Sequence, residues 1–581
     1  MYRGWRMGKR ILNESRIAKS EKYQMSGQMG EWVNWRFRVM GLSPVRPVSH
    51  SPILPSCLSL ALLTLLLSSC AMVGPNYHQP TAPVAQQWIE TAPLTIERAT
   101  ADISTWWTVF NDAALNSLIE TARKQNLSLH TAGIRVIEAQ ARRGLVIGQL
   151  FPQQQVGVGG YTRNELSTQT ANRRGIPGFR SDFDQWQFGL DATWELDIWG
   201  RFRRGIEVVD AQLLAAVASY DDALVSLTAE VATNYLFLRI LEERLEVAKT
   251  NVTIQQRSFD IAQAKFEGGA VTELDAAQAA ALLRNTQAQI PELETAIRQT
   301  QNTLCVLLGI PPRDLQDMLG GAGKVPTTPT TVAVGIPADL LRRRPDIRRA
   351  ERQLAAQSAA IGVATADLYP SFSLFGSLAI KAEDFPDLFT TSALESFAGP
   401  QVRWAILNYG RIQSNIRVQD AQFQALISEY ENTVLRAQKE VEDAIAGYLG
   451  VQRQVTFLRG SFAAATRAVE LADFQYREGA TDFTRVLNTQ QFLVTEQDRL
   501  VATHGAVALN LVSLYRALGG GWESQIGKEF VSAKTKAQMQ ERTQWRDFLL
   551  STEQAADIKA VAKGTGSDKT QWRWQEWKPR W

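Results

Sequence analysis

Residues 231–270 read VATNYLFLRILEERLEVAKTNVTIQQRSFDIAQAKFEGGA, and residues 441–480 read VEDAIAGYLGVQRQVTFLRGSFAAATRAVELADFQYREGA. In the first stretch Val231, Tyr235, Leu238, Leu241, Leu245, Ala248 and Val252 recur at steps of mostly alternating fours and threes, and Phe259, Ala262 and Phe266 continue the series. That is the spacing of a coiled-coil seam. In the second stretch Val441, Ile445, Tyr448, Val451, Val455, Leu458, Phe462, Val469, Ala472 and Tyr476 hold the same ten positions, shifted by 210. The span Ile206–Phe266 contains no glycine or proline, so it predicts one helix about 90 Å long at ~1.5 Å per residue. Gly268-Gly269 ends that helix and Gly479 ends its counterpart. Returning helices are expected over Glu273–Leu308 and Phe483–Leu518, which makes each copy an antiparallel helical hairpin.

The repeat extends in both directions. Trp194, Gly200 and Arg201 match Trp404, Gly410 and Arg411, and Leu304–Gly309 matches Leu514–Gly519. Upstream, Leu150-Phe151-Pro152 matches Leu368-Tyr369-Pro370 at an offset of 218, so the change in spacing falls in a loop between. The chain is two copies of one unit.

Each copy carries strand patterns ahead of its long helix. Trp186, Phe188, Leu190, Ala192, Trp194 and Leu196 alternate with Gln185, Gln187, Gly189, Asp191, Thr193 and Glu195. A run of about a dozen residues at period two is long enough to cross a membrane as a tilted strand. Val156 and Val158 begin an earlier strand; Phe372–Ile380 forms a third and Phe397–Ile406, which includes Pro400, a fourth. The alternation alone fits either four lipid-facing strands or four strands of a soluble sandwich facing a core. Tyr161, Trp186 and Tyr369 near strand ends favour a membrane interface. A membrane barrel needs about eight strands, and an open sheet in lipid strands its backbone polar groups. If the strands span, the chain must oligomerise, to eight strands as a dimer or twelve as a trimer.

Composition narrows the function. The 581 residues are 45% hydrophobic and 21% charged with net charge +3, which excludes wholesale disorder and gives no sign of a nucleic-acid partner. Three cysteines, Cys57, Cys70 and Cys305, exclude a disulfide framework, and His50, His78, His130 and His504 have no ligand spacing, so no metal site is expected. Enzyme motifs fail as well. Gly320-Gly321-Ala322-Gly323-Lys324 lacks phosphate-loop spacing, and no GxSxG, HExxH or CxxC occurs. Arg342-Arg343-Arg344 beside Pro345 reads as a surface turn at a helix start.

The apolar run Leu58–Leu67 is too short to span a bilayer but suits the core of a secretory signal. It ends in Leu67-Ser68-Ser69-Cys70, either a lipobox whose cysteine accepts a diacylglyceryl group or the end of a buried apolar segment. Gly74-Pro75-Asn76-Tyr77 stops any helix there and favours the lipobox. Met40, with Arg46, stands at the usual distance before such a site, so residues 1–39 read as an over-called start.

Together these residues resemble an outer-membrane efflux factor of the TolC/OprM type, in the NodT-like lipoprotein branch of tripartite pumps. The resemblance covers about Cys70 to Trp522 and rests on Cys70-Ala-Met-Val-Gly-Pro-Asn-Tyr77, Trp106-Trp107-Thr-Val-Phe110-Asn-Asp112, Trp194-Glu-Leu-Asp197-Ile-Trp199-Gly200-Arg201 and Leu341-Arg-Arg-Arg-Pro345-Asp346-Ile347. It implies a mixed α/β membrane protein: a homotrimer with a twelve-stranded outer-membrane β-barrel, four strands per chain, continued by a long periplasmic α-helical barrel. Shorter helices about Asp112–Leu150 and Pro345–Leu368 complete that barrel, and an equatorial belt lies about Pro311–Gly335. The division expected is 1–69 extension and signal peptide, 70–310 first repeat, 311–335 equatorial linker, 336–522 second repeat and 523–581 a disordered extension.

The function implied is a passive exit duct, with an inner-membrane RND transporter supplying energy and a periplasmic adaptor docking at the hairpin tips. No cofactor is implied beyond lipid on Cys70. Ala71 after that cysteine favours transfer to the outer membrane. Gly269-Ala270 and Gly479-Ala480 lie at the tips, where small residues allow helix reversal and, by the resemblance, adaptor contact. Asp275 is expected in contacts that hold the entrance shut. Where the family often has aspartates at the constriction, this chain has Arg485 and Asn488; Asp482 either supplies a ring of negative charge or is an ordinary surface residue. Two other classes remain open from the residues: a periplasmic coiled-coil scaffold lipoprotein, and an adaptor subunit, which usually carries one hairpin between lipoyl-like β segments.

Overall fold

The computed structural model describes residues 72–89, 96–97, 103–170, 178, 180–329, 332–335 and 337–545. In chain order its main elements are α1 (Ala113–Gln125), α2 (Leu127–Gly148), β1 (Gln154–Glu165), β2 (Asp182–Leu196), α3 (Arg201–Glu267), α4 (Glu273–Leu307), α5 (Pro345–Ala366), β3 (Ser371–Ala382), β4 (Leu394–Arg403), α6 (Arg411–Arg477), α7 (Phe483–Ala517) and α8 (Ala533–Arg542).

The repeat is carried into three dimensions residue for residue. The long helices α3 and α6 are both 67 residues, about 100 Å at ~1.5 Å per residue, and their returning partners α4 and α7 are both 35. In one half of the helical body α4 packs on α3, α3 on α7 and α7 on α6. In the other half α2 and α5 take the places of α4 and α7, with α5 between α3 and α6. The long helices therefore run through both halves. The largest apolar core lies about the middle of the long helices, where the two halves meet, around Leu224, Tyr235, Leu236, Tyr430 and Tyr448.

Helix boundaries follow local chemistry. α3 begins at Arg201, five residues before the glycine-free span, because Gly205 fits inside it; a Cβ there would lie an ordinary 3.6 Å from Val146. Its start is fixed by the Asp197 carboxylate, which accepts the N–H groups of Phe202 and Arg203. The segment 112–150 is two helices rather than one. Asn126 ends α1 and caps α2 by accepting the Leu129 N–H at 2.8 Å.

The four strands form one antiparallel sheet in the order β1-β2-β3-β4. The fourth strand lies three residues earlier than the alternation suggests, at Leu394–Arg403, and Pro400 faces Leu374 within it. Within the single chain β4 is an edge strand, the position in a sheet where proline is found. β1 is the other edge.

Buried arginines tie the segments between the repeats to the long helices. Arg239 on α3 donates to the carbonyls of Leu319 and Gly321 and pairs with Glu242, holding part of the 311–335 segment against the bundle. Arg344 is buried rather than on a surface turn: it donates to the Ala517 carbonyl at 2.7 Å and pairs with Asp346 and with Glu440 of α6. Arg348 pairs with Asp221 and lies 4.6 Å over the Trp522 ring, whose N–H reaches the Arg343 carbonyl. Arg344 of the LRRRPDI motif thus fastens the start of α5 to α6 and the end of α7, and Arg348 just after the motif fastens it to α3.

The expectation of a disordered extension from residue 523 does not hold over 523–545. Phe530 packs edge-on against Tyr220, and Val531, Met539 and Trp545 close over Ile134 and Ile137 of α2. Ser532 caps α8 by accepting the Thr535 N–H. The contact is close: a Cβ on Gly133 would stand 2.2 Å from the Phe530 carbonyl oxygen. Residues 546–581 lie outside the described residues.

Candidate functional site

Two regions carry the features expected of a duct: the sheet and the hairpin tips. Strand register sorts the sheet into two faces. Phe188 pairs with Ile380, Leu190 with Leu378, Trp194 with Leu374 and Leu196 with Phe372; across the next strand Phe372 pairs with Val402 and Ile380 with Leu394. Directly paired residues share a face, so these side chains lie together on one mainly apolar face. Gly159 opposite Phe188 leaves room for its ring, since a Cβ there would lie 2.9 Å from Phe188 Cδ1. The apolar row of β2 runs from Trp186 to Leu196. Those ten steps of ~3.3 Å, tilted by about 40°, rise roughly 25 Å, the height of an outer-membrane hydrocarbon band. The opposite face carries Gln187, Asp191, Thr193, Ser373, Ser377 and Gln401, and Lys381 pairs with Glu395 at 2.6 Å. Val156 and Val158 of β1, which pair with Asp191 and Gly189, also lie on this mainly polar face, as do Phe375 and Phe397, 6.1 Å apart.

The helix side of the sheet is marked by indoles that satisfy carbonyls. Trp194 donates to Leu150, Trp404 to Leu368 and Trp199 to Pro370. The chain after residue 71 enters here. Val73 donates to the Trp199 carbonyl, and the buried Arg204 holds the Val73 and Gly74 carbonyls and the Asn76 side chain. Gly74 has φ +87 and abuts Gly362, where a Cβ would meet backbone at 2.4 Å. Cys70 itself lies outside the described residues.

At the other end both hairpins reverse by the same device. Gly269 has φ +73 and Gly479 φ +74; the N–H of Ala270 reaches the Lys265 carbonyl and that of Ala480 the Gln475 carbonyl, each at 2.8 Å. This is the glycine-dependent end of a helix, with a six-to-one hydrogen bond. The next helix start distinguishes the copies. Thr272 and Asp275 form a reciprocal capping box on α4, whereas Asp482 alone caps α7 by accepting the Arg485 N–H at 3.0 Å. Asp275 and Arg485 occupy matching positions, so the two tips present opposite charge at one site. Asp482, Arg485 and Asn488 are all exposed and follow one another at three-residue spacing along the first turns of α7.

The tips are joined to each other. Phe483 packs 5.1 Å from Tyr476, and together with Val486, Ala472, Ala262 and Ala279 they form a small core between hairpins. Lys265 of the first hairpin sits 3.8 Å over the Tyr476 ring. Burial raises the Tyr476 phenol above its usual range, with the Asp275 charge adding to it. Burial likewise raises the Asp473 carboxyl, against the pull of Arg477. Further from the tips, Gln490 donates to Ser258, Asn251 to Gln497, and Arg244 binds Asp498 through two hydrogen bonds. Lys265 escaped the sequence reading because its partner is 211 residues away; only the lateral packing of the two hairpins brings them together.

A sheet with one mainly apolar and one mainly polar face, opening onto paired helical hairpins whose long arms run about 100 Å, defines an outer-membrane efflux channel. The chain belongs to the outer membrane efflux protein family, whose model matches residues 118–310 and 336–520. Among its relatives is "Nodulation protein T" of Rhizobium leguminosarum bv. viciae, 31% identical over 474 residues, 80% of this chain and 93% of that one. Another is the "Pyoverdine export outer membrane protein OpmQ" of Pseudomonas putida, 30% identical over 471 residues, 81% and 98% of the two chains. Among solved structures, the outer-membrane channel OprN matches with TM-score 0.73 and 33% identity over 78% of this chain and 99% of its own. The open state of the Neisseria gonorrhoeae MtrE outer membrane channel matches with TM-score 0.66 and 25% identity, covering 78% and 99%. The protein is an outer-membrane exit channel of an RND-type efflux system, and the scaffold and adaptor readings fall away.

Proposed function

We propose that three copies close their sheets into a twelve-stranded barrel and their hairpins into a helical duct, through which small molecules pass passively to the cell exterior. The observation that carries this reading is the four-stranded sheet with one apolar face and an unpaired edge on both β1 and β4. Neither edge is tolerable in lipid, so β4 of one chain pairs with β1 of the next. Two chains would give eight strands, whose interior side chains nearly fill; three leave an aqueous lumen.

The finer assignments follow. Cys70 carries the acyl anchor. Met72 packs on Gly200 at the helix side of the sheet, and two residues reach at most about 7 Å, which suits lipid entering the inner leaflet beside the barrel. Gly269-Ala270 and Gly479-Ala480 form the tips that an adaptor contacts, and the adaptor links the duct to an inner-membrane RND transporter. Asp275, Asp482, Arg485 and Asn488 line the narrow end, which in this chain is of mixed charge. The repeats are 70–310 and 336–522, joined by an equatorial 311–335. Relatives are named for cargoes as different as pyoverdine, toluene and cations, which fits a duct whose cargo is chosen by its partners.

The test is electrophoresis of the purified protein in mild detergent with and without heating, followed by planar-bilayer recording. A heat-modifiable species of three chains that conducts is the expected result. An elongated monomer without conductance would overturn the reading.

A further inference from the structure

The connection from β3 to β4 lies at the end of the sheet remote from the helices, since α2, α3, α5 and α6 all join the strands at the other end. Its course is set by rings. Ala382, which pairs with Trp186, is followed by a 3₁₀ turn at Phe385–Phe389. Trp186 belongs to the same row as Phe188 and Leu190 and so projects from the apolar face. The Phe385 ring stands edge-on to it at 5.1 Å and 77°, the Phe389 ring edge-on to Phe385 at 5.8 Å, and Tyr161 flanks Trp186 at 4.8 Å. The loop is therefore drawn over the outside of the sheet rather than across the mouth of the lumen. Leu388, fully buried, pins the turn, while Phe389 is left 75% exposed.

Polarity changes abruptly around this row. On one side the apolar face continues without a break through Phe188 and Leu190. On the other, Arg163 pairs with Asp182 and Asp184, and Arg180 with Glu383. An aromatic row between an apolar face and a charged belt is the layering of a membrane–water boundary.

We infer that the Phe385–Phe389 loop is a lipid anchor, seating Phe389 at the acyl–headgroup boundary of the outer leaflet. The partner is the lipid surface, by continuity with the lipid-facing sheet. The inference rests on the membrane orientation of that sheet.

The experiment places a nitroxide at Phe389→Cys in the full-length channel in liposomes. Oxygen, which concentrates in lipid, and a water-soluble nickel chelate serve as collision partners. Leu190→Cys is the lipid reference and Thr168→Cys, exposed in the β1–β2 connection, the aqueous one; the unsubstituted chain labelled in parallel gives the background. Phe389 is exposed, so its replacement removes little packing. The expected result is an oxygen-to-nickel collision ratio at 389 several-fold above that at 168 and approaching that at 190. A ratio at 389 equal to that at 168, with 190 still reading as lipid, overturns the anchor alone. A ratio at 190 equal to that at 168 overturns the sheet's orientation and the anchor with it.

Discussion

Leu190 and Asp191 are neighbours in sequence with opposite surroundings, and substituting each by lysine separates the lipid face from the water face. Leu190 is four residues from Trp186 and four from Trp194, which puts it roughly 13 Å along the strand from each boundary and close to the bilayer midplane. Its side chain is 64% exposed in the chain, so Leu190→Lys creates almost no cavity, and the cost is that of a charge in hydrocarbon. That cost is about 2–4 kcal/mol per chain at the midplane, or roughly 6–12 kcal/mol in a threefold assembly if the sites are independent. Asp191→Lys places the same side chain one residue on, on the polar face opposite Ser377, and is expected to change stability by less than about 0.5 kcal/mol. Denaturant unfolding of the channel in liposomes, read by loss of the heat-modifiable band, measures both. Equal destabilisation by the two variants, or none by Leu190→Lys, would refute the assignment of faces.

Three further outcomes are expected. Gly269→Ala and Gly479→Ala meet no atom but must hold positive φ; at about 1–2 kcal/mol each, hydrogen exchange at Ala270 and Ala480 should quicken by roughly 5–30-fold, and unchanged exchange would remove the glycine requirement. Gly133→Ala should loosen the C-terminal segment by about 1–3 kcal/mol through overpacking against Phe530; faster tryptic cleavage at Lys534 and Lys536 is the readout, and cleavage at the parental rate counts against the docking. Arg485→Glu should move ionic selectivity in planar bilayers toward cations, whereas an unaltered reversal potential excludes Arg485 from the narrow end.

The elements most legible in the sequence are those fixed by local rules. The glycine-free span and its seam prescribe α3 and α6, and glycines at the same point of each copy prescribe the reversals. Alternation prescribes β2, because one face of that strand meets lipid and the other water. β4 was less legible: its outward row is broken by Ser396, Ala398 and Pro400, so period two is weak and its start cannot be fixed. Features that depend on distant partners were not legible. Nothing local to residues 523–545 announces α2 as their support, and only the absence of a Cβ at Gly133 permits the approach. Arg344 looks like surface charge until Glu440 and the Ala517 carbonyl surround it. At the tips, the residue types at 275 and 485 were visible, but their use in or beside helix caps emerges only with the turn geometry.

The equal lengths of the two hairpins have a consequence for whatever meets the periplasmic end. A ring of three chains presents six helical reversals, all built on the same positive-φ glycine and the same six-to-one hydrogen bond. A binding surface that reads backbone shape alone meets six nearly interchangeable positions. One that reads charge meets only three of each kind, because Asp275 and Arg485 alternate around the circle. The duplication therefore offers two symmetries at once, and a partner's stoichiometry depends on which it senses.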